Sequence, residues 1–350
     1  MTDTIAARRS AHLVGSTPFD SADEAMDLAL ARLDGRLRTL PDGETGERRN
    51  WIIHIVEALR RNPDLEVKRE GKWGDYDDTL TFAVRPGHSL RAETLDFGHV
   101  AAFEASYPRF VERRTALGPA GEGLRFQVGI PGDFDLTLFT LGPLAAFRRR
   151  APFTDATVTE IRRIFEKAGD DVVFQLEIPA ELIFVARAPG PLQPLAARLL
   201  ARIVTGLPKR SPRGARFGIH LCLGDMNHRA LGRMHDVRPL VLLANAIARA
   251  WPKDRPLDFV HAPFAAAVEP PPLDDAFYAP LRSLRLPVGT RFVAGFVHEG
   301  RSLEEQRRLL GVIDALVGRR VDVATSCGLG RRDRDAALAT IDQARALIEV

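Results

Sequence analysis

Cysteine is nearly absent: the 350 residues hold two, Cys222 and Cys327. Two distant cysteines do not make the framework of a small secreted domain. In a reducing compartment they are metal ligands, nucleophiles or plain core residues before they are a disulfide. An excess of one charge is also missing. Lys and Arg number 49 against 46 Asp and Glu, a net charge of +3, with no basic tail or lysine cluster. Nucleic acid is therefore not the expected partner, in spite of a pI near 9.1. There is no apolar run of the roughly 18 to 20 residues that cross a bilayer, and no apolar segment behind the charges of Met1–Arg9. Neither a membrane partner nor a secretory signal is expected, and the expected location is cytoplasmic. Internal repeats and low-complexity tracts are lacking as well. What remains, 45% hydrophobic and 27% charged, suffices for a sizeable core. Oligomeric state is not legible.

Short β-branched or apolar runs alternate with longer segments of helical period, the pattern of parallel strands joined by helices. The runs predict eight strands, at 11–15, 38–40, 124–129, 172–177, 216–221, 257–261, 291–295 and 321–325. Ser21 with Glu24, and Ser302 with Glu305, have capping-box spacing ahead of helical periodicity. The Ala-rich segment 335–348 reads as a last outer helix. Eight strand–helix units predict an α/β fold, a (β/α)8 TIM barrel forming one domain over 1–350. More than eighty residues separate the second and third predicted strands. Within them, 65–70 and 79–85 flank a turn-rich 71–78, which predicts an insertion over 62–100 with a β-hairpin beside the barrel mouth. The Pro-rich stretches 188–194 and 269–273 read as loops.

Barrel chemistry is built at the C-terminal ends of the strands, so those ends should carry reactive residues. They do: Gly15-Ser16, Asp42-Gly43-Glu44, Gly132-Asp133, Glu177, His220-Leu221-Cys222, His261, His298-Glu299 and Cys327-Gly328. A strand repeats every two residues, so His220 and Cys222 share a face. Imidazoles and two thiols converging there suit Zn²⁺. Taken singly, each Cys also reads as a small buried hydrophobe and each His as a satisfied core residue; their joint placement favours the metal. Glu177 follows the apolar Val172-Val173-Phe174. Burying a carboxylate there requires a cation, a donor or an ammonium group, or an arginine such as Arg48 or Arg187. Glu47, Arg48 and Arg49 read as a solvated helix start.

In this order, Gly15-Ser16, Gly43-Glu44-x-x-x-Arg48, Gln175-x-Glu177-x-Pro179, His220-x-Cys222, the His298 loop and Cys327-Gly328-Leu329 resemble a known family. It is the C-terminal barrel of cobalamin-independent methionine synthase, and the likeness extends over nearly the whole chain. The resemblance implies a methyltransferase: zinc-dependent transfer of a methyl or alkyl group to a small thiol such as homocysteine, with that thiol and a methyl donor as partners. It implies that His220, Cys222 and Cys327 hold Zn²⁺ together with the sixth-strand residue, a glutamate in the family and His261 here. It further implies that Glu44 and Glu177 hold the amino group of the substrate, that Gly15 and Ser16 contribute to the same site, and that His298 relays a proton. Three departures accompany it. His261 in place of glutamate makes the site less negative, the family's Asp-Glu-Pro is here Glu177-Ile178-Pro179, and the N-terminal barrel that helps bind folate is missing, so a stand-alone relative is expected. Two rival readings remain: a metal-free enzyme, since the barrel also resembles uroporphyrinogen decarboxylase, and a non-catalytic barrel that holds a ligand or zinc.

Overall fold

The computed structural model describes residues 8–350. Its strands are β1 (Thr39–Pro41), β2 (Leu65–Arg69), β3 (Thr81–Val84), β4 (Arg125–Pro131), β5 (Val172–Glu177), β6 (Arg216–His220), β7 (Leu257–Pro263), β8 (Arg291–Val297) and β9 (Asp322–Thr325). Seven of them form one parallel sheet in the order β1-β4-β5-β6-β7-β8-β9, while β2 and β3 pair antiparallel by themselves. The helices are α1 (Ala22–Leu33), α2 (Ile52–Ala58), α3 (His99–Ala116), α4 (Asp133–Leu141), α5 (Pro143–Arg148), α6 (Ala151–Ala168), α7 (Pro179–Arg187), α8 (Gln193–Arg210), α9 (Arg238–Ala250), α10 (Asp275–Tyr278), α11 (Leu303–Val317) and α12 (Arg334–Ile348). Among the described residues no helix is long and apolar enough to cross a membrane.

The sheet curls until its edges meet across one residue. Ala11 makes parallel bridges both to Leu37, just ahead of β1, and to Val323 in β9. The arrangement is consistent with a TIM-like barrel, but the strand expected at 11–15 is reduced to that bridge. The cause is local competition for acceptors: the side-chain amide of Gln127 donates to the carbonyls of Leu13 and Val14, both at 2.9 Å, and that of Gln175 also donates to Val14. Elsewhere the ladder runs on, and β7 and β8 extend two residues past their expected ends. The Pro-rich 188–194 is a loop only in its first part. Gln193 and Pro194 already belong to α8, where a proline in the first turn leaves no hydrogen bond unmade. Ser302 and Glu305 close a complete capping box on α11. Ser21 caps α1, but Glu24 accepts from the Asp20 N–H instead.

Alternation along the strands sorts the core. Val172, Phe174 and Leu176 of β5 join the large cluster shared with the helices, as do Phe217 and Ile219 of β6. Their neighbours point to the other face, inside the barrel. In register across that interior stand Glu177, His220 and His261, and below them Gln175, Gly218 and Phe259. Its apolar filling is a separate cluster of four side chains, Val173, Phe259, Val293 and Ala324. Glycines make room for the large groups: a Cβ at Gly218 would lie 2.0 Å from the Phe259 ring, and one at Gly295 would lie 2.7 Å from His261 Nε2.

Because the Phe259 ring occupies the space a methyl would take, Gly218→Ala is expected to destabilise the fold by about 1–3 kcal/mol. Urea unfolding monitored by tryptophan fluorescence tests this, and an unchanged midpoint contradicts the packing described.

Candidate metal and substrate site

Two strand ends bring the cysteines together. The chain leaves β6 at His220 and reaches Cys222 two residues on, and it leaves β9 at Thr325 and reaches Cys327 two residues on. Both thiols are free, and their sulfurs lie 3.7 Å apart across 105 residues of sequence. A ring nitrogen of His220 completes a trio whose donor atoms all lie within 4.8 Å of one another, the one such group of three among the described residues. The hydrogen bond to Cys327 and burial push the Cys222 thiol up, while that same bond pulls Cys327 down.

His261 stands behind His220. His220 Nδ1 is 2.7 Å from His261 Nδ1, and His261 Nε2 is 2.8 Å from the carbonyl oxygen of Thr325. A carbonyl can only accept, so His261 carries its proton on Nε2 and accepts at Nδ1. His220 then donates from Nδ1 and keeps a bare lone pair on Nε2. Burial pushes both rings down, His261 to about 4, so both are neutral at pH 7. Both nitrogens of His261 are thus engaged, and it stands behind His220, outside the trio. The sequence reading missed the further histidine of this interior, His12, whose Nε2 lies 3.0 Å from Gln175 Oε1.

Glu44 and Glu177 face one another across space left by glycine. A Cβ on Gly129 would lie 2.4 Å from Glu44 Oε1 and 3.1 Å from Glu177 Oε1, and one on Gly15 would lie 2.6 Å from Glu44 Oε1. Burial raises both carboxyls, Glu177 to about 8 with the Cys327 charge adding to it, and Glu44 further up through Glu177. The arginines that might have neutralised Glu177 are engaged elsewhere. Arg48 pairs with the buried Asp42 at 2.7 Å rather than being solvated, and Arg187 donates to the Leu231 carbonyl. Gln175 Nε2 donates to Glu177 Oε1 at 3.0 Å. Ser16 is held against the other strand end by the Leu329 N–H, 2.7 Å from its carbonyl oxygen, and Gly328 leaves no room for a side chain beside the Ser16 hydroxyl.

Ser16, Glu44, Glu177, His220, Cys222 and Cys327 line one cavity. Its wall also holds Trp51, Tyr76, Asp225 and Arg331, none of which the sequence reading singled out. Tyr76 comes from the β2–β3 connection. Trp51 adopts a left-handed φ of 47°, which no motif announces. One Asp225 carboxylate oxygen is buried with no hydrogen-bond partner, while the Trp51 indole N–H is directed at the Glu177 carboxyl and favours its charged form. A polar atom left unpaired is ready to receive a ligand. His298, expected as the proton relay, is not part of this wall: Nδ1 accepts from the Gly300 N–H at 2.9 Å and Nε2 donates to the Ala267 carbonyl at 3.0 Å.

No family model and no curated protein matches the chain. Solved structures do. A B12-independent methionine synthase from Shewanella sp. W3-18-1, in complex with selenomethionine, superposes with a TM-score of 0.62 at 13% identity, covering 98% of this chain and 97% of that one. A putative vitamin-B12-independent methionine synthase from Listeria monocytogenes gives a TM-score of 0.54 at 11% identity, covering 98% of each. At these identities the likeness establishes a shared fold.

A carboxyl raised in the folded state contributes stability that is lost as pH rises from its ordinary value near 4.5 through about 8. Glu177→Gln removes that loss. Over this window the variant is expected to gain stability relative to the parent as pH increases, measured by urea midpoints at each pH. A constant difference contradicts it.

Proposed function

We propose that the chain is a zinc-dependent methyl- or alkyltransferase acting on a small thiol that also carries an ammonium group, as homocysteine does. The observation that supports this most is the trio His220, Cys222 and Cys327, with donor atoms within 4.8 Å, in the wall of the cavity that holds the two buried carboxyls. The donor chemistry fits. One imidazole nitrogen with a free lone pair and two thiols make a Cys₂His set, which in catalytic zinc sites leaves a position open. Zn²⁺ held there supplies Lewis acidity that keeps a substrate thiol deprotonated at neutral pH.

The chain's own residues do the rest. Two thiolates balance the charge of a divalent ion, so no glutamate is needed for neutrality and the position of His261 behind His220 is accommodated. Glu44 and Glu177 are poorly satisfied alone, and an ammonium group between them offsets their burial and restores both charges. Asp225 offers an unpaired acceptor, and Arg331 supplies the guanidinium of the wall. The reaction forms a sulfur–carbon bond as the donor–carbon bond breaks, with the donor leaving group taking the electron pair. The fold shared with the two methionine synthases supports this reading, and so does the motif order in the sequence. His298 is engaged by backbone on both sides, so no relay is routed through it, and the proton that the Glu44–Glu177 pair holds without substrate is released when the ammonium enters. The hairpin segment is read as an addition to the barrel that brings Tyr76 to the cavity.

Protein produced with ample zinc is expected to carry about one zinc per chain, lost on Cys222→Ser or Cys327→Ser, and to consume homocysteine with one of a panel of methyl donors. Absence of zinc, or full activity after replacing both cysteines by Ala, sinks the proposal and favours a metal-free enzyme. His261→Gln is expected to weaken zinc affinity about 10–100-fold while the bound stoichiometry is unchanged. Competition titration against a chromogenic chelator checks this, and loss of stoichiometric binding would make His261 a ligand after all.

A further inference from the structure

The N-terminal ends of the strands form the face opposite this cavity, and no step above uses it. There a second, open cavity is lined by Arg8, Arg9, Arg38, Arg291, Arg319 and Arg320, with Asp322 as the one carboxylate of its wall among the described residues. Topology gathers them. Arg8 and Arg9 lead into the segment bridged at Ala11, Arg38 directly precedes β1, Arg291 and Asp322 open β8 and β9, and Arg319 and Arg320 end the connection from α11 to β9.

The balance here departs from that of the chain. Basic and acidic residues number 49 and 46 overall, but six to one in this wall. Arg9 pairs with Asp314 at 2.6 Å and Arg291 with Asp322 at 2.5 Å, and Arg38 donates to the Ser10 hydroxyl at 3.3 Å. Arg319 donates to the carbonyl of Thr290 at 2.9 Å, which leaves its charge unbalanced. Among the described residues no ion pair involves Arg8, Arg319 or Arg320. Arg9 is 4% exposed, yet its Nε has no hydrogen-bond partner. Burial first, and then the nearby Arg291, push the Arg38 guanidinium down against the pull of Asp322.

A concave wall of one sign concentrates counter-ions, and guanidinium forks match the paired oxygens of phosphoryl and carboxylate groups. We propose that this cavity is a binding site for a small anion of two or more negative charges, phosphoryl or carboxylate, separate from the thiol site.

Isothermal titration of the full chain at low ionic strength tests this, with pyrophosphate and citrate as parallel probes. Saturable binding of one or both is expected, and the tighter of the two identifies the source chemistry. The double substitution Arg319→Ala/Arg320→Ala is expected to weaken binding at least tenfold. Both residues are exposed, so the fold should survive, as circular dichroism will verify; Arg8→Ala serves as an independent second variant with a smaller loss. Cys222→Ser should leave the titration unchanged. No saturable binding of either probe, binding indifferent to these arginines, or binding abolished by Cys222→Ser overturns the proposal.

Discussion

The hydrogen bond between His220 and His261, 2.7 Å from ring to ring, organises everything around it. Register makes it possible, because the two residues are direct partners on neighbouring parallel strands. The Thr325 carbonyl gives it direction by fixing the proton of His261 on Nε2. Thr325 in turn donates from its hydroxyl to the Cys327 carbonyl at 2.6 Å. A continuous chain of contacts thus runs from the loop bearing Cys327, through His261, to His220 and the strand end bearing Cys222. The lone pair on His220 is a consequence of this arrangement, beside which the two sulfurs lie 3.7 Å apart.

The arrangement has a cost in the barrel interior. Where a barrel is ordinarily filled by layers of branched apolar side chains, this one holds His12, Gln175, Glu177, His220 and His261, and only four apolar side chains cluster there. Buried polar groups are tolerable when they satisfy one another. The histidines and glutamines do so through the contacts His12–Gln175, Gln175–Glu177 and His220–His261. Glu44 and Asp225 are left less satisfied, and they face the cavity. Incomplete satisfaction therefore coincides with the place where a ligand is expected, the pattern of a fold giving up stability for a site.

Much of this was legible in the sequence, for a definite reason. Strand period and helix caps are local properties, so 172–177 was read as a strand with its observed limits, and the ends of the strands carried the cysteines and His220 that meet. What was not legible depends on partners remote in sequence. His261 and His220 have the same signature, a histidine at a strand end; only the carbonyl of Thr325 and the space over Gly295 set them apart, engaging both nitrogens of one and leaving a lone pair on the other. His298 reads as an acid–base candidate until the backbone of Ala267 and Gly300 occupies both of its nitrogens. Arg48 reads as solvated until the buried carboxylate of Asp42 takes its guanidinium. The strand at 11–15 is curtailed because two glutamines on other strands take its carbonyls, a competition that no local pattern records.

Zinc K-edge X-ray absorption of the metal-loaded protein tests the central claim most directly. The account predicts two sulfur neighbours at about 2.3 Å and a single imidazole nitrogen at about 2.0–2.1 Å, with a third sulfur entering when homocysteine is added. A first shell with two imidazoles, or one without sulfur, would contradict it.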